Sequence, residues 1–210
     1  MKYADTHIAI FCKAPVAGRV KTRLIEAYGA TGATDIYVAL VEKTLATVNA
    51  ACDASGMSAS LWVADDLRHE TVQRWAADNA LATYTQQGDD LGARMLRCLQ
   101  TMLHAGHQRV LLIGTDCPAF TPKHLGAAAA ALNAECAWVF TPSEDGGYVL
   151  VGTNAADAAA FAGIAWSTDA VMQQTREALR SNGLQWAETA TLWDVDVAVD
   201  VERARRAGLI

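Results

Sequence analysis

The chain is expected to fold as an α/β protein with a mostly parallel, doubly wound sheet, in one domain spanning residues 1–210. Three observations lead there. Short apolar runs alternate with helically spaced segments from start to finish. Arg109-Val-Leu-Leu-Ile113 is almost wholly apolar, as a central parallel strand covered on both faces must be. No linker, repeat or low-complexity stretch divides the sequence, and the alanine run Ala127 to Ala131 falls inside a helical segment.

Taken in order, 8–12 reads as a buried strand, followed by a loop holding Pro15 and Gly18. Ile36, Leu40, Val41, Leu45 and Val48 recur at helical spacing and predict a helix over 33–51. A strand over 60–64, a helix over 69–79 and a brief strand over 83–85 come next. Leu91, Met95, Leu99, Met102 and Leu103 mark one face of a helix over 90–105, stopped by Gly106. After the strand 109–113, Thr121 and Pro122 supply an N-cap and a first-turn proline for a further helix. Segments 137–141 and 148–151 are strands joined by Glu144-Asp-Gly-Gly147, so one strand is expected to run against the parallel order. A helix over 169–180, a strand over 185–189 and a helix over 200–207 complete the sequence.

Hydrophobic residues make up 52% and charged residues 19%, a globular composition. A net charge of −6 argues against a nucleic-acid binder, which needs a basic face, but not against a small anionic ligand. Cys12, Cys52, Cys98, Cys117 and Cys136 show no C-x-x-C pair and read as buried thiols of a reducing compartment. No signal peptide and no membrane-length apolar run are visible, so a cytoplasmic protein with no membrane contact is expected, and an oligomer is possible.

In a doubly wound sheet the ligand crevice lies beyond the carboxyl ends of the strands, so the loops there carry the chemistry. The first of them concentrates Lys13, Arg19, Lys21 and Arg23 around Gly18, just before a helix whose free N–H groups suit an anion. It reads as a phosphate cradle; the plain alternative is a solvated basic turn. Neither G-x-x-x-x-G-K-[ST] nor G-x-G-x-x-G is present, which disfavours a nicotinamide-dependent oxidoreductase. Asp116, in Gly114-Thr-Asp-Cys-Pro118, follows the central strand and suits a hard cation, unless it serves as a turn or capping residue. Glu144-Asp-Gly-Gly-Tyr148 offers two carboxylates and two glycines that let a backbone approach a ligand; an ordinary hairpin turn is the alternative. Asp194 and Asp196 share a side if their segment is extended. The segment 87–94 borders the cleft or has Asp89 or Asp90 capping a helix. His7, His69, His104, His107 and His124 read as surface residues, and Trp62, Trp138, Trp166, Trp186 and Trp193 as core or interface.

Together, segments 11–24, 114–118, 144–148 and 193–196 form an ordered set that resembles a bacterial family of GT-A-type, nucleotide-diphospho-sugar-transferase-like proteins. That family is associated with radical-SAM and selenium-related gene clusters, and some members are arsenosugar-biosynthesis glycosyltransferases. More distantly the sequence is similar to guanylyltransferases acting on phospholactate, phosphoenolpyruvate or the molybdenum cofactor. The resemblance implies a Rossmann-like, three-layer α/β/α GT-A fold and Mg²⁺ or Mn²⁺ held by Asp116, Asp194 and Asp196. It also implies a nucleotide-sugar or nucleoside triphosphate and a small-molecule acceptor as partners. The expected catalytic groups are Asp116, Lys21 and Asp145. Substrate is expected at Lys13, Pro15, Gly18, Arg19, Lys21, Arg23, Thr115, Glu144, Gly146, Gly147 and Tyr148. Glycosyl transfer is the leading expectation, nucleotidyl transfer the alternative, and a non-catalytic nucleotide sensor a second alternative. Two departures stand out. The glycine-rich start of sugar nucleotidyltransferases is replaced by Lys13-Ala-Pro-Val-Ala-Gly18, and the central Asp-x-Asp motif of many glycosyltransferases is reduced to Asp116.

Overall fold

The structure is a computed structural model that describes residues 2–210. Strands β1 (Thr6–Cys12), β2 (Ser58–Val63), β3 (Ala82–Thr85), β4 (Arg109–Ile113), β5 (Trp138–Pro142), β6 (Tyr148–Thr153) and β7 (Trp186–Glu188) form one sheet. Their connections carry α1 (Ile25–Ser55), α2 (Glu70–Asp78), α3 (Leu91–His104), α4 (Pro122–Ala131) and α5 (Val171–Ser181), and α6 (Ala198–Arg206) follows β7.

The sheet order is β3-β2-β1-β4-β6-β5-β7. β1 pairs in parallel with both β2 and β4, and β2 with β3. β6 alone is reversed, antiparallel to β4 on one side and β5 on the other. The expected reversed strand is therefore present, for a simple reason. The turn after β5 is too short for a crossover, so β6 must double back. It then takes the place beside β4, and β5 is displaced one position outward.

Both faces are covered, which makes three layers. Val41 of α1, Trp75 of α2 and Leu125 of α4 pack with Ile10, Leu61 and Leu111 on one face. Leu99 of α3 and Met172 and Leu179 of α5 pack with Phe11, Leu112 and Phe140 on the other. Trp62 and Trp138 belong to this second core. No helix among the described residues is long and apolar enough to cross a membrane.

Two expectations need correction. Helix α1 begins at Ile25 rather than at 33, across a kink at Gly29 (φ 69°, ψ 168°). Its early part lacks a strong apolar period and is held by tertiary packing of Leu24, Ile36 and Leu40 on Val195, Val201 and Ala204 of the C-terminal segment. His7 is a core residue, only 5% exposed, on a strand buried along its whole length. Its ring nitrogens lie 2.7 Å from the Ser58 and Ser60 hydroxyls, which satisfies both. Burial, then the neighbouring His107 ring stacked at 4.4 Å, lowers its pKa to about 4. His69 and His124 are occupied at helix starts: each accepts a backbone N–H, from Thr71 and Thr121.

From β1 the polypeptide winds to β2 and β3 in one direction, then returns past β1 to β4. The switch point lies between β1 and β4, and the crevice opens at their carboxyl ends, Cys12 and Ile113.

Candidate functional site

A cleft of about 1040 Å³ occupies that position. Its first wall is the loop after β1. The Lys13 amide donates to Tyr37 Oη (2.7 Å), which donates back to the Lys13 carbonyl (3.2 Å), and the Ala14 amide donates to Asp65 Oδ1 (2.8 Å). The loop is thus tied to α1 and to the segment beyond β2. At its end Lys21 adopts a left-handed backbone (φ 46°, ψ 45°), a conformation that costs energy in a residue with a Cβ. This turns its side chain inward, where it is only 6% exposed. The ammonium donates to the Val195 carbonyl at 2.5 Å, lies 2.8 Å from Asp116 Oδ1 and reaches Asp196 Oδ1 at 3.3 Å. The contact with Asp116 is ionic without hydrogen-bond geometry, so that buried oxygen keeps no hydrogen-bond partner. Lys21 is therefore an internal counter-ion that joins the first loop to two acidic segments.

The second wall comes from the far end of the sequence. Segment 192–196 runs extended past β5 and β4. Leu192 N–H donates to the Pro142 carbonyl, Glu144 N–H to the Leu192 carbonyl, and Val195 N–H to the Asp116 carbonyl (2.9 Å). This backbone pairing delivers Asp194 and Asp196 to the end of β4, and Ser143 Oγ donates to Asp194 Oδ1 at 2.6 Å.

The third wall is the turn between β5 and β6. Gly146 has φ 90°, and a Cβ there would collide with the Asp169 backbone, so only glycine fits. Its carbonyl accepts from Met172 N–H (2.8 Å), and Asp145 accepts from Gly147 N–H (2.9 Å). As a result Asp145, Asp194 and Asp196 each bring a carboxylate oxygen to within 4.8 Å of the others. Burial first, then the like charges of Asp145, Asp196 and Asp116, raise the Asp194 pKa against the lowering effect of Ser143.

Asp194 and Asp196 converge with Asp145, whereas Asp116 lies against the Lys21 ammonium, which also reaches Asp196. Lys13, Arg19, Lys21, Arg23, Thr115, Asp116, Asp145, Gly147 and Tyr148 all line the cleft, with Asp194 and Asp196. Pro15, Gly18, Glu144 and Gly146 are not on its wall. Glu144 turns outward to a bidentate pair with Arg203 (2.6 and 3.0 Å), whose guanidinium lowers the Glu144 pKa.

Other residues join the lining. Tyr37 and Gln86 do so from α1 and the end of β3, and Arg94 and Met95 from the first turns of α3, capped by Asp90. Segment 166–169, which the sequence marks only as the approach to a helix, also lines the cleft. Trp166 lies so close to Gly92 that a Cβ there would meet its ring at 2.6 Å, and Ser167 has φ 66°. Burial holds the Tyr148 phenol well above its ordinary pKa and pushes the Cys117 thiol up to about 12, so both are neutral at physiological pH.

The sheet order, with one reversed strand and a cleft at its switch point, is the fold of nucleotide-linked transferases. The protein is similar over 99% of its length to a protein of Desulfovibrio desulfuricans G20 assigned to the nucleotide-diphospho-sugar transferases (27% identity, 88% of that protein covered, TM-score 0.86). It shares its fold with a nucleotidyl transferase from Methanothermobacter thermautotroptrophicus (16% identity, 97% of each covered, TM-score 0.62). The same holds for glucosyl-3-phosphoglycerate synthase from Mycobacterium tuberculosis, solved with Mn²⁺ and UDP (9% identity, covering 97% of this sequence and 76% of that one, TM-score 0.55). The protein belongs to the family DUF2064, described as an uncharacterized protein conserved in bacteria, whose model matches residues 47–168. No curated protein matches it in sequence.

Proposed function

We propose that the protein is a metal-dependent transferase with a nucleotide-linked donor, moving a glycosyl group from a nucleotide-sugar to a small acceptor. One observation carries the reading: three carboxylates from two segments far apart in sequence meet beside a cationic loop at the sheet's switch point. Oxygen-only donors of this kind suit Mg²⁺ or Mn²⁺, and the raised pKa of Asp194 reflects, after burial, a repulsion that a cation would remove. Asp145, Asp194 and Asp196 would hold the ion. When bound, it supplies positive charge against the donor's diphosphate.

The protein's own residues do the rest. Lys13 and Arg19 have no ion-pair partner among the described residues and are free to bind phosphate oxygens. Lys21 keeps Asp116 and the first loop in register. Tyr148, with a neutral phenol, orients the acceptor by hydrogen bonding. A second reading is nucleotidyl transfer from a nucleoside triphosphate, in keeping with the fold shared with the Methanothermobacter nucleotidyl transferase.

The test is a thermal-shift panel of sugar nucleotides and nucleoside triphosphates, with and without Mn²⁺, followed by mass spectrometry of products. A cognate donor at ~100 times its Kd adds about 2.7 kcal/mol, a shift of roughly 5–10 °C in a protein of this size. That shift is expected only with metal and is expected to vanish in Asp194→Asn. Release of a nucleoside diphosphate identifies glycosyl transfer; release of pyrophosphate identifies nucleotidyl transfer. Stabilisation that ignores both the metal and Asp194→Asn would sink the reading.

A further inference from the structure

Arg203 stands on α6, outside the cleft, yet it touches the neighbours of two of the three converging carboxylates. Its guanidinium grips Glu144 through both terminal nitrogens (2.6 and 3.0 Å). It also lies over the Trp193 ring, 4.2 Å from the centroid. Glu144 directly precedes Asp145, and Trp193 directly precedes Asp194. The two segments meet otherwise through the Ser143–Asp194 hydrogen bond and the backbone pairing at Leu192. One planar cation thus spans the turn and the tail at the point where each delivers its carboxylate. A bidentate, stacked guanidinium fixes both distance and direction, which a lysine ammonium does not.

We propose that Arg203 is a positioning residue for the acidic trio, a clamp that sets the separation of Asp145 from Asp194 and thereby the cleft's affinity for a divalent cation. This rests on the metal reading above. It also explains why Glu144 faces away from the cleft: it is the handle by which α6 holds the turn. As an ordinary surface pair the contact would be worth little to stability, the two side chains being 44% and 53% exposed. Its effect belongs to geometry.

Mn²⁺ binding to the full-length protein, followed by the loss of the free-ion electron paramagnetic resonance signal, tests this without any substrate. Arg203→Ala is expected to weaken Mn²⁺ binding about tenfold, the lower end for groups that orient metal ligands. Arg203→Lys, which keeps the charge, is expected to weaken it by about half that factor, while thermal midpoints stay within roughly 3 °C of the parent. Arg206→Ala, one turn away on the same helix and bonded only to the Glu202 carbonyl, is expected to change nothing. A parent that binds Mn²⁺ and an Arg203→Ala that binds it equally well overturn the clamp alone. A parent that binds no Mn²⁺ overturns both the clamp and the metal reading.

Discussion

The two ends of the sheet are built on opposite principles. At the amino end one terminal nitrogen of Arg109 donates to both Asp5 oxygens (2.7 and 2.9 Å) over the Tyr3 ring, and His7 is bonded at both nitrogens. Each of these ionisable groups has its partner. At the carboxyl end Lys21 pairs with Asp116 and Asp196, and Arg23 pairs with Asp196, while Asp145 and Asp194 have no ion-pair partner among the described residues and Asp116 Oδ1 lacks a hydrogen bond. One end is arranged for stability. The other carries uncompensated charge of the kind that a ligand or ion resolves.

The contrast is most sharply tested at Asp194. On the proposed metal reading, Asp194→Asn is expected to lower turnover by about 100-fold or more, since it removes a ligand of the ion set against the donor's diphosphate. The same change is expected to raise the midpoint of the ligand-free protein. A carboxyl whose folded pKa is raised binds more protons folded than unfolded, so its ionisation costs stability as pH climbs past its ordinary range. Loss of stability in this variant at neutral pH, seen by thermal denaturation, would break the comparison.

The amino end predicts the reverse dependence. His7 has its folded pKa lowered to about 4 from an ordinary 6.5, so the unfolded state takes up the proton first. Its contribution is complete above pH 6.5 and drains away as pH falls toward 4, on the order of 3 kcal/mol over the window. Urea unfolding at several pH values is expected to give a steeper acid decline for the parent than for His7→Gln; parallel curves would remove His7 from the account.

A smaller effect is expected at Lys21. Breaking a fully buried ion pair costs about 3–5 kcal/mol, but Asp116 and Asp196 are 45% and 40% exposed, so Lys21→Met is expected to cost about 2 kcal/mol. Urea unfolding measures it, and a cost below about 0.5 kcal/mol, the scale of an ordinary surface pair, would mean that Lys21 does not hold the loops together.

Much of this is legible in the residues themselves. Strands buried on both faces announce themselves as apolar runs, and the carboxyl-end loops hold most of the lining residues. Other features are not legible. The place of β6 between β4 and β5 is a pairing choice, and a hairpin's sequence says only that its strands adjoin. The early turns of α1 are diluted by Gly29, Gly32 and two threonines, and they are helical because the C-terminal segment packs on them. The meeting of Asp145 with Asp194 and Asp196 depends on how the β5–β6 turn folds against the C-terminal segment, which no spacing in the sequence reveals. Ser167, Thr168 and Asp169 read only as the lead-in to a helix, and nothing in their spacing says that they line the cleft.

The reversal of β6 has a further consequence. In a uniformly parallel sheet each strand offers the crevice only the loop that leaves it. Here the hairpin turns around at the cleft, so its turn and the entrance of the next strand both face the same chamber, with Asp145, Gly147 and Tyr148 arriving together. A change in the length of this single turn would re-tool two sides of the chamber at once, while the pairing of β5 with β6 stays intact behind it.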